Sequence, residues 1–515
     1  MMRLLALALC VQSLVQILPM AMAKPDFGIG LSITSSGKVS TAADNAQTVL
    51  EAVDDNTPFT AEANYKALQP LANVMDKVAS VTVSLGSELV PLVTSLVSDV
   101  SGDVAAVFTT VFTKITDVKN AIGTQLPTDI AEIKNIFKTH FKSEGLDYIP
   151  KQLTDGFNRI VEGLTDLSTK LQALKKAIDD AATAAGGVTS LTDSLVKKYV
   201  KPAFVYNVVF SINQLKAYLP LVKFTIDSTL ENLNLADDYL LLVFQALQQS
   251  GDTTTTAINS VKTVTDAISS QVKSDLDMYY GDFNIMKGEI QDLTQITSSP
   301  DISKVSDAVG SFSTSFGTLS TTRYPAMDTQ LTKLIDTISK ALAVNSNPGQ
   351  ISSDLLDSLI LTVIENGKYA QFCFNKYFGL VFGFITSLAD SAGLCFDKEI
   401  PRLKVLQDTL STAKEQLWTD FSSISAEFTL CDMLTTQSKL NACVLAVSGF
   451  YNNIATQFGL KIQFLFDLLE SETVASANRF LICIELVKMN LVEMTESTLT
   501  NEIRSCAMDG PTADD

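Results

Sequence analysis

One histidine, His140, and one tryptophan, Trp418, serve a chain of 515 residues. Zinc hydrolases and enzymes with serine-histidine or cysteine-histidine pairs need imidazole as ligand or base, and a single ring cannot fill several such roles. An ordinary helix-surface position accounts for His140. No C-x-x-C spacing occurs, which removes zinc-ribbon and thioredoxin-type chemistry. G-x-S-x-G elbows, EF-hand loops and N-x-S/T sequons are missing as well. Gly37-Lys38-Val39-Ser40 has the look of a phosphate loop, but the preceding glycine is the distant Gly30, and Val39 stands where a magnesium-binding hydroxyl is required.

Positive charge is scarce too. Lys and Arg number 38 against 57 Asp and Glu, the formal net charge is -19, and the basic residues form no run. Phosphate backbones and anionic surfaces need clustered cations to displace counterions, so nucleic acid is excluded as a partner. Adjacent acids such as Asp54-Asp55, Asp179-Asp180 and Asp237-Asp238 diverge around a helix and read as solvated faces. A carboxylate-only glycosidase needs two acids, and nothing in the sequence selects a pair. The chain therefore points to no catalytic residue, no cofactor and no metal, and is expected not to be an enzyme.

What is present begins at the N-terminus. Arg3, the apolar run Leu4 to Leu9, a second apolar stretch around Leu14 to Leu18 and then Ala21-Met22-Ala23 have the order of a secretory signal, residues 1–23. The apolar run falls short of the ~20 residues that span a bilayer. Cleavage after Ala23 would remove Cys10 and leave Cys373, Cys395, Cys431, Cys443, Cys483 and Cys506, an even set confined to the last third. Secretion into an oxidising extracellular compartment makes three disulfides the expectation. The longest uncharged stretch, Leu440 to Leu460, carries Asn441, Asn452, Asn453 and Gln457, which are costly in hydrocarbon. The apolar patch Tyr377 to Ala389 is short. Both are expected to be buried core helices, leaving no transmembrane segment in the mature chain.

Periodicity predicts an all-α fold. Leu153, Phe157, Ile160, Leu164, Leu167, Leu171, Leu174 and Ile178 step by fours and threes, as in the seam of a bundle or coiled coil. Val93 to Ile122 carries a similar valine-rich stripe, too long for a strand. Others run from Ile268 to Leu293 and from Leu331 to Leu342. Pro127, Gly186-Gly187, Gly251 and Pro300 read as helix ends. Asn345 to Gln350, without a large apolar side chain, is the best boundary. The expected organisation is elongated, coiled-coil-like helical bundles over a cysteine-free region 24–345, with a further break near 186–188. A disulfide-bonded four-helix domain, 351–508, and an acidic tail, 509–515, would follow. Its helices are expected at 352–391, 398–430, 436–470 and 473–501, antiparallel through short connections. A faint internal echo aligns Lys198 to Phe204 with Lys368 to Phe374, with Ala203 in the place of Cys373.

Six cysteines allow 15 connectivities. With the four helices running up, down, up, down, rise per residue puts Cys395 in the top connection and Cys483 about ten residues below the top of the fourth helix, Cys431 and Cys443 at either side of the bottom connection, and Cys373 about two-thirds of the way down the first helix, toward Cys506 at the bottom. The nested pairing Cys373–Cys506, Cys395–Cys483, Cys431–Cys443 follows. At these residues a resemblance emerges. Cys373-Phe374-Asn375-Lys376-Tyr377, with Cys395 and four further cysteines downstream, resembles the cysteine-helix pattern of insect secreted proteins with a TsetseEP-type domain. Ser391-Ala392-Gly393-Leu394 stand before Cys395, where that family usually has aromatics. The resemblance implies a secreted arthropod protein and supplies no catalytic residues.

Trp418 beside Leu417 is expected in a core, and the aromatics Phe372, Phe374, Tyr377, Phe378, Phe382 and Phe384 suggest a helix buried on several sides. The function expected is a structural or interaction role in extracellular fluid or gut, with an extracellular protein as partner. The alternative is a carrier of apolar ligands, or a helical protein that opens onto lipid.

Overall fold

The computed structural model describes residues 26–55, 58–142, 147–342, 353–489 and 495–511, without the side chains of 388 and 389. The expected leader 1–23, the expected linker 345–350 and most of the tail 509–515 lie outside the described residues. The fold is all-α as expected, 87% helical and without strands among the described residues. In chain order the helices are α1 Gly37–Glu51, α2 Leu68–Ser98, α3 Val104–Phe141, α4 Tyr148–Ala185, α5 Asp193–Tyr199, α6 Pro202–Gln291, α7 Ile302–Thr318 and α8 Tyr324–Ala341. They continue with α9 Asp354–Ile364, α10 Ala370–Phe421, α11 Ile424–Asp432, α12 Gln437–Lys488 and α13 Ser497–Asp509.

The compact units do not follow the expected division at 345–351. Each is assembled from separated stretches: the first from residues up to Leu241 with Ser352–Phe378 and Thr500–Asp515, the second from Leu242–Ile351 with Gly379–Leu499. Nor does a boundary fall near 186–188, where Gly186 (φ 79°) merely ends α4 inside the first unit. Periodicity marks which face of a helix is apolar and says nothing of which helix will cover it.

In the first unit, α1 packs on α2, α2 on α3, α3 on α4 and α4 on α5. Every residue of the Leu153 to Ile178 stripe is buried. The Val93 to Ile122 stripe is interrupted: Gly102 takes φ 81°, Asp103 caps α3 by accepting the Ala106 N–H at 2.9 Å, and Val100 is exposed. Pro127 and Gly251 lie inside α3 and α6 rather than at helix ends, while Pro300 does precede a helix start. On α4, Gly156 and Gly163 let α6 approach closely, since a Cβ there would meet Val222 at 3.0 Å and Leu215 at 2.6 Å.

Polar contacts explain why 353–378 and 500–511 belong to this unit. Lys66 pairs with Asp357 at 2.8 Å, and the Tyr65 hydroxyl donates to the same carboxylate. The α9–α10 turn places Asn366 in a left-handed conformation (φ 53°). Its amide then accepts from Asn232 at 3.0 Å and donates to Ser228 at 2.7 Å. Arg504 donates to the Ser358 hydroxyl at 3.1 Å, and Cys373 is bridged to Cys506.

In the second unit α7 and α8 pack on α12, and α11 leads into α12 through a short turn. The centre is a phenylalanine cluster in which Phe316 and Phe312 lie 5.1 and 5.2 Å from Phe458, and Phe316 lies 5.5 Å from Phe421. Centroid spacings in this range are those of favourable tilted and edge-to-face ring pairs. The four-helix expectation fails at two points. α10 continues through 391–398 and α12 through 470–473. Ser391, Gly393 and Thr473 read as breakers but are tolerated inside packed helices, and the Thr473 hydroxyl is satisfied by the Leu469 carbonyl at 2.6 Å. The remaining bridges, Cys395–Cys483 and Cys431–Cys443, both fall in this unit, with sequence separations of 88 and 12. Together with Cys373–Cys506, separation 133, the pairing is the nested one.

Candidate functional site

Each unit contains an apolar cleft between its helices. In the first, five helices contribute, represented by Leu50 of α1, Leu89 of α2, Val118 of α3, Leu164 of α4 and Leu215 of α6. The cleft opens to solvent, and the space it outlines, open solvent included, is about 740 Å³. Ala43, Ala46 and Gly86 create the room; a Cβ on Gly86 would meet the Leu50 side chain at 2.2 Å. Thr82 spends its hydroxyl on the Val78 carbonyl at 2.7 Å, and the one charged residue of the lining is Lys216, half-buried on α6.

The second unit's cleft lies between α6, α8, α10 and α12, with Val272, Met327, Leu410 and Leu465 in its wall, and outlines about 630 Å³, open solvent included. Three of its polar side chains satisfy one another. Lys414 pairs with Asp275 at 2.9 Å, and Gln271 donates to both Asp275 oxygens at 3.0 Å. Burial first, then the negative field of Asp275, Glu415 and Asp282, raises the Tyr279 phenol above its ordinary range. Both sites are suited to holding apolar molecules by exclusion of water, the usual character of small-molecule pockets.

Other apolar groups are not buried as the sequence led us to expect. Trp418 is 41% exposed, because the residue after buried Leu417 on a helix points about 100° away from the core. Of the patch Tyr377 to Ala389, Tyr377 and Val381 are buried, whereas Phe378 and Leu380 are exposed, as is Phe372 before it. The helical stretches Leu68–Ser98 and Ala370–Asp432 are long and apolar enough to cross a membrane by length and composition. On α12, Phe450, Leu460, Phe464, Leu468, Ile482 and Leu486 are all exposed and share one face by their helical spacing.

Three of the acids singled out from the sequence have structural partners. Asp237 is buried instead of solvated, and its carboxylate accepts the N–H groups of Glu62 and Ala63 at 2.9 and 3.1 Å. Asp179 and Asp180 pair with Lys175 and Lys176 one turn away. His140 sits half-buried in the last turn of α3, where burial and then the nearby Lys66 lower its pKa. Among the described residues no group of three His, Cys, Asp or Glu side chains is placed to hold a metal ion.

One cluster left no trace in the sequence. Glu399 of α10 is buried and accepts from Ser476 at 3.0 Å and from Arg479 at 3.0 and 3.1 Å, with Arg402 on its other side. Burial raises its pKa, but the hydrogen bonds of Arg479, Ser476 and Arg402 outweigh this and hold it below the ordinary glutamate range. A depressed folded-state pKa contributes stability above the unfolded value, and that stability is lost as pH falls through the folded value. Glu399→Gln is therefore expected to cost about 1–3 kcal/mol at neutral pH. It should also flatten the decline in stability below the ordinary glutamate range; urea melts of both proteins across that range check the sign.

No family model, curated protein or solved structure matches the chain.

Proposed function

We propose that this chain is a secreted, non-enzymatic carrier of apolar ligands. The observation that carries this reading is the presence, in each unit, of a solvent-open cleft lined almost wholly by aliphatic and aromatic side chains. Secretion is supported by the leader-like N-terminus and by three disulfides, which persist in oxidising compartments. Titration with the neutral fluorophore N-phenyl-1-naphthylamine should saturate at two sites per chain. Ala46→Phe, which fills the first cleft, should abolish one of them with the far-UV circular dichroism unchanged. Binding that never saturates would remove the carrier reading.

A second reading, the interaction role, is favoured by the exposed face of α12. A half-exposed large side chain offers ~100 Å², so a row of six or seven approaches the ~800 Å² per partner of a standard interface. The occupant that fits an uncharged row of this kind is the same row of a second copy, antiparallel across a two-fold axis. Light scattering should then show a concentration-dependent dimer that Phe464→Asp makes monomeric; a wild-type chain monomeric at its highest soluble concentration would dismiss the reading.

A further inference from the structure

We infer that the cleft of the first unit takes a long-chain carboxylate, with Lys216 as the ion-pair partner of its headgroup. The inference rests on the carrier reading and names the ligand class of one of its two sites. Lys216 is the single charged residue in an otherwise apolar lining, and it is half-buried. Among the described residues no carboxylate pairs with it. Lys175, Lys176 and Lys223, by contrast, each meet an aspartate one turn further along their helix. At Lys216 the corresponding position is Pro220, and the position one turn before is Ile212, so its own helix supplies no counter-ion. A half-buried lysine in a wall of aliphatic groups is complementary to one molecule with an anionic head and an apolar tail, since a charge-assisted hydrogen bond is stronger in an apolar setting than in water.

The second cleft supplies the contrast. Its lysine, Lys414, is already neutralised by Asp275, so the cleft has no charge to offer a headgroup and suits neutral apolar ligands. A monoanion also fits better than a dianion at Lys216. One lysine balances one negative charge, and the rest of a chain with net charge -19 repels any excess.

The test uses the full mature chain and two ligands of equal tail length, dodecanoate and dodecanol, each below its aggregation limit, measured by isothermal titration calorimetry. The expected result is one site that prefers dodecanoate by about tenfold or more and one that does not discriminate. Lys216→Met should erase the preference without changing dodecanol affinity, Lys216→Glu should reverse it, and Lys414→Met should leave the first site unaltered. Equal binding of the two ligands at both sites, or a preference that survives Lys216→Met, overturns the headgroup assignment while leaving the carrier reading in place. If neither ligand binds, the carrier reading falls and the assignment falls with it. Melting curves of each variant establish that the fold is retained.

Discussion

Replacing Cys373 and Cys506 together by serine is expected to lower the stability of the first unit by about 5 kcal/mol, the chain-entropy value for a loop of this length. The separation of 133 residues makes it the longest of the three closures, and the cost of closing a loop rises with the logarithm of its length. The same reasoning gives about 4–5 kcal/mol for Cys395–Cys483, separation 88, and about 3 kcal/mol for Cys431–Cys443, separation 12. Because the first bridge lies in the unit that holds α1 to α5, reductant should weaken the N-terminal helices as well as the C-terminal ones. A cysteine-free region 24–345 that is indifferent to reductant, the natural expectation from cysteine positions alone, is thereby replaced by a chain in which every compact part depends on a bridge. Thermal melts of the oxidised, reduced and double-serine proteins decide the matter; an N-terminal transition that does not move would contradict the assignment.

The second large effect concerns the phenylalanine cluster. Phe421→Ala and Phe283→Ala are each expected to destabilise the second unit by about 3–5 kcal/mol, as for large-to-small changes at fully buried aromatic sites. Both rings have 0% exposure and their centroids stand 6.0 Å apart. The double variant should cost less than the two single losses together, because each change already empties part of the same space. One ring comes from α6 and the other from α10, so an isolated fragment 353–511 would expose Phe421 and Phe458 where Phe283, Phe312 and Phe316 belong. That fragment is expected to bind hydrophobic dyes and to melt without cooperativity until residues 26–342 are supplied. A fragment that folds alone with native-like cooperativity would refute this partition.

Helix content and the apolar seams were legible from spacing, because burial at intervals of three and four follows from helix geometry alone; α4 is the clearest instance. The nested cysteine pairing was legible for a related reason. Once Cys431 and Cys443 stand across a turn, equal steps along two antiparallel arms bring Cys395 to Cys483 and Cys373 to Cys506, whether or not the chain breaks at 391–398. What spacing could not convey was partnership. Gly251 looks like an interruption, yet α6 runs through it, as it does through Pro220. Glu399 and Asp237 look like solvent-facing acids, and only the arrival of Arg479 or of the Glu62 and Ala63 amides from elsewhere in the chain makes them interior groups. The clefts have no sequence signature at all, because empty space is a property of the distance between helices.

The position of Cys373 and Cys506 along the chain has a bearing on survival among proteases. They stand just outside the stretch Gly379–Leu499 that belongs to the second unit, one on each side of it. A peptide bond cut anywhere inside that stretch leaves Thr500 to Pro511 still tethered to the first unit by sulfur. A nicked molecule of this kind would migrate as one intact chain on a gel and fall into pieces only when reductant is added, so the protein loses its backbone continuity there and keeps the parts of its first unit joined.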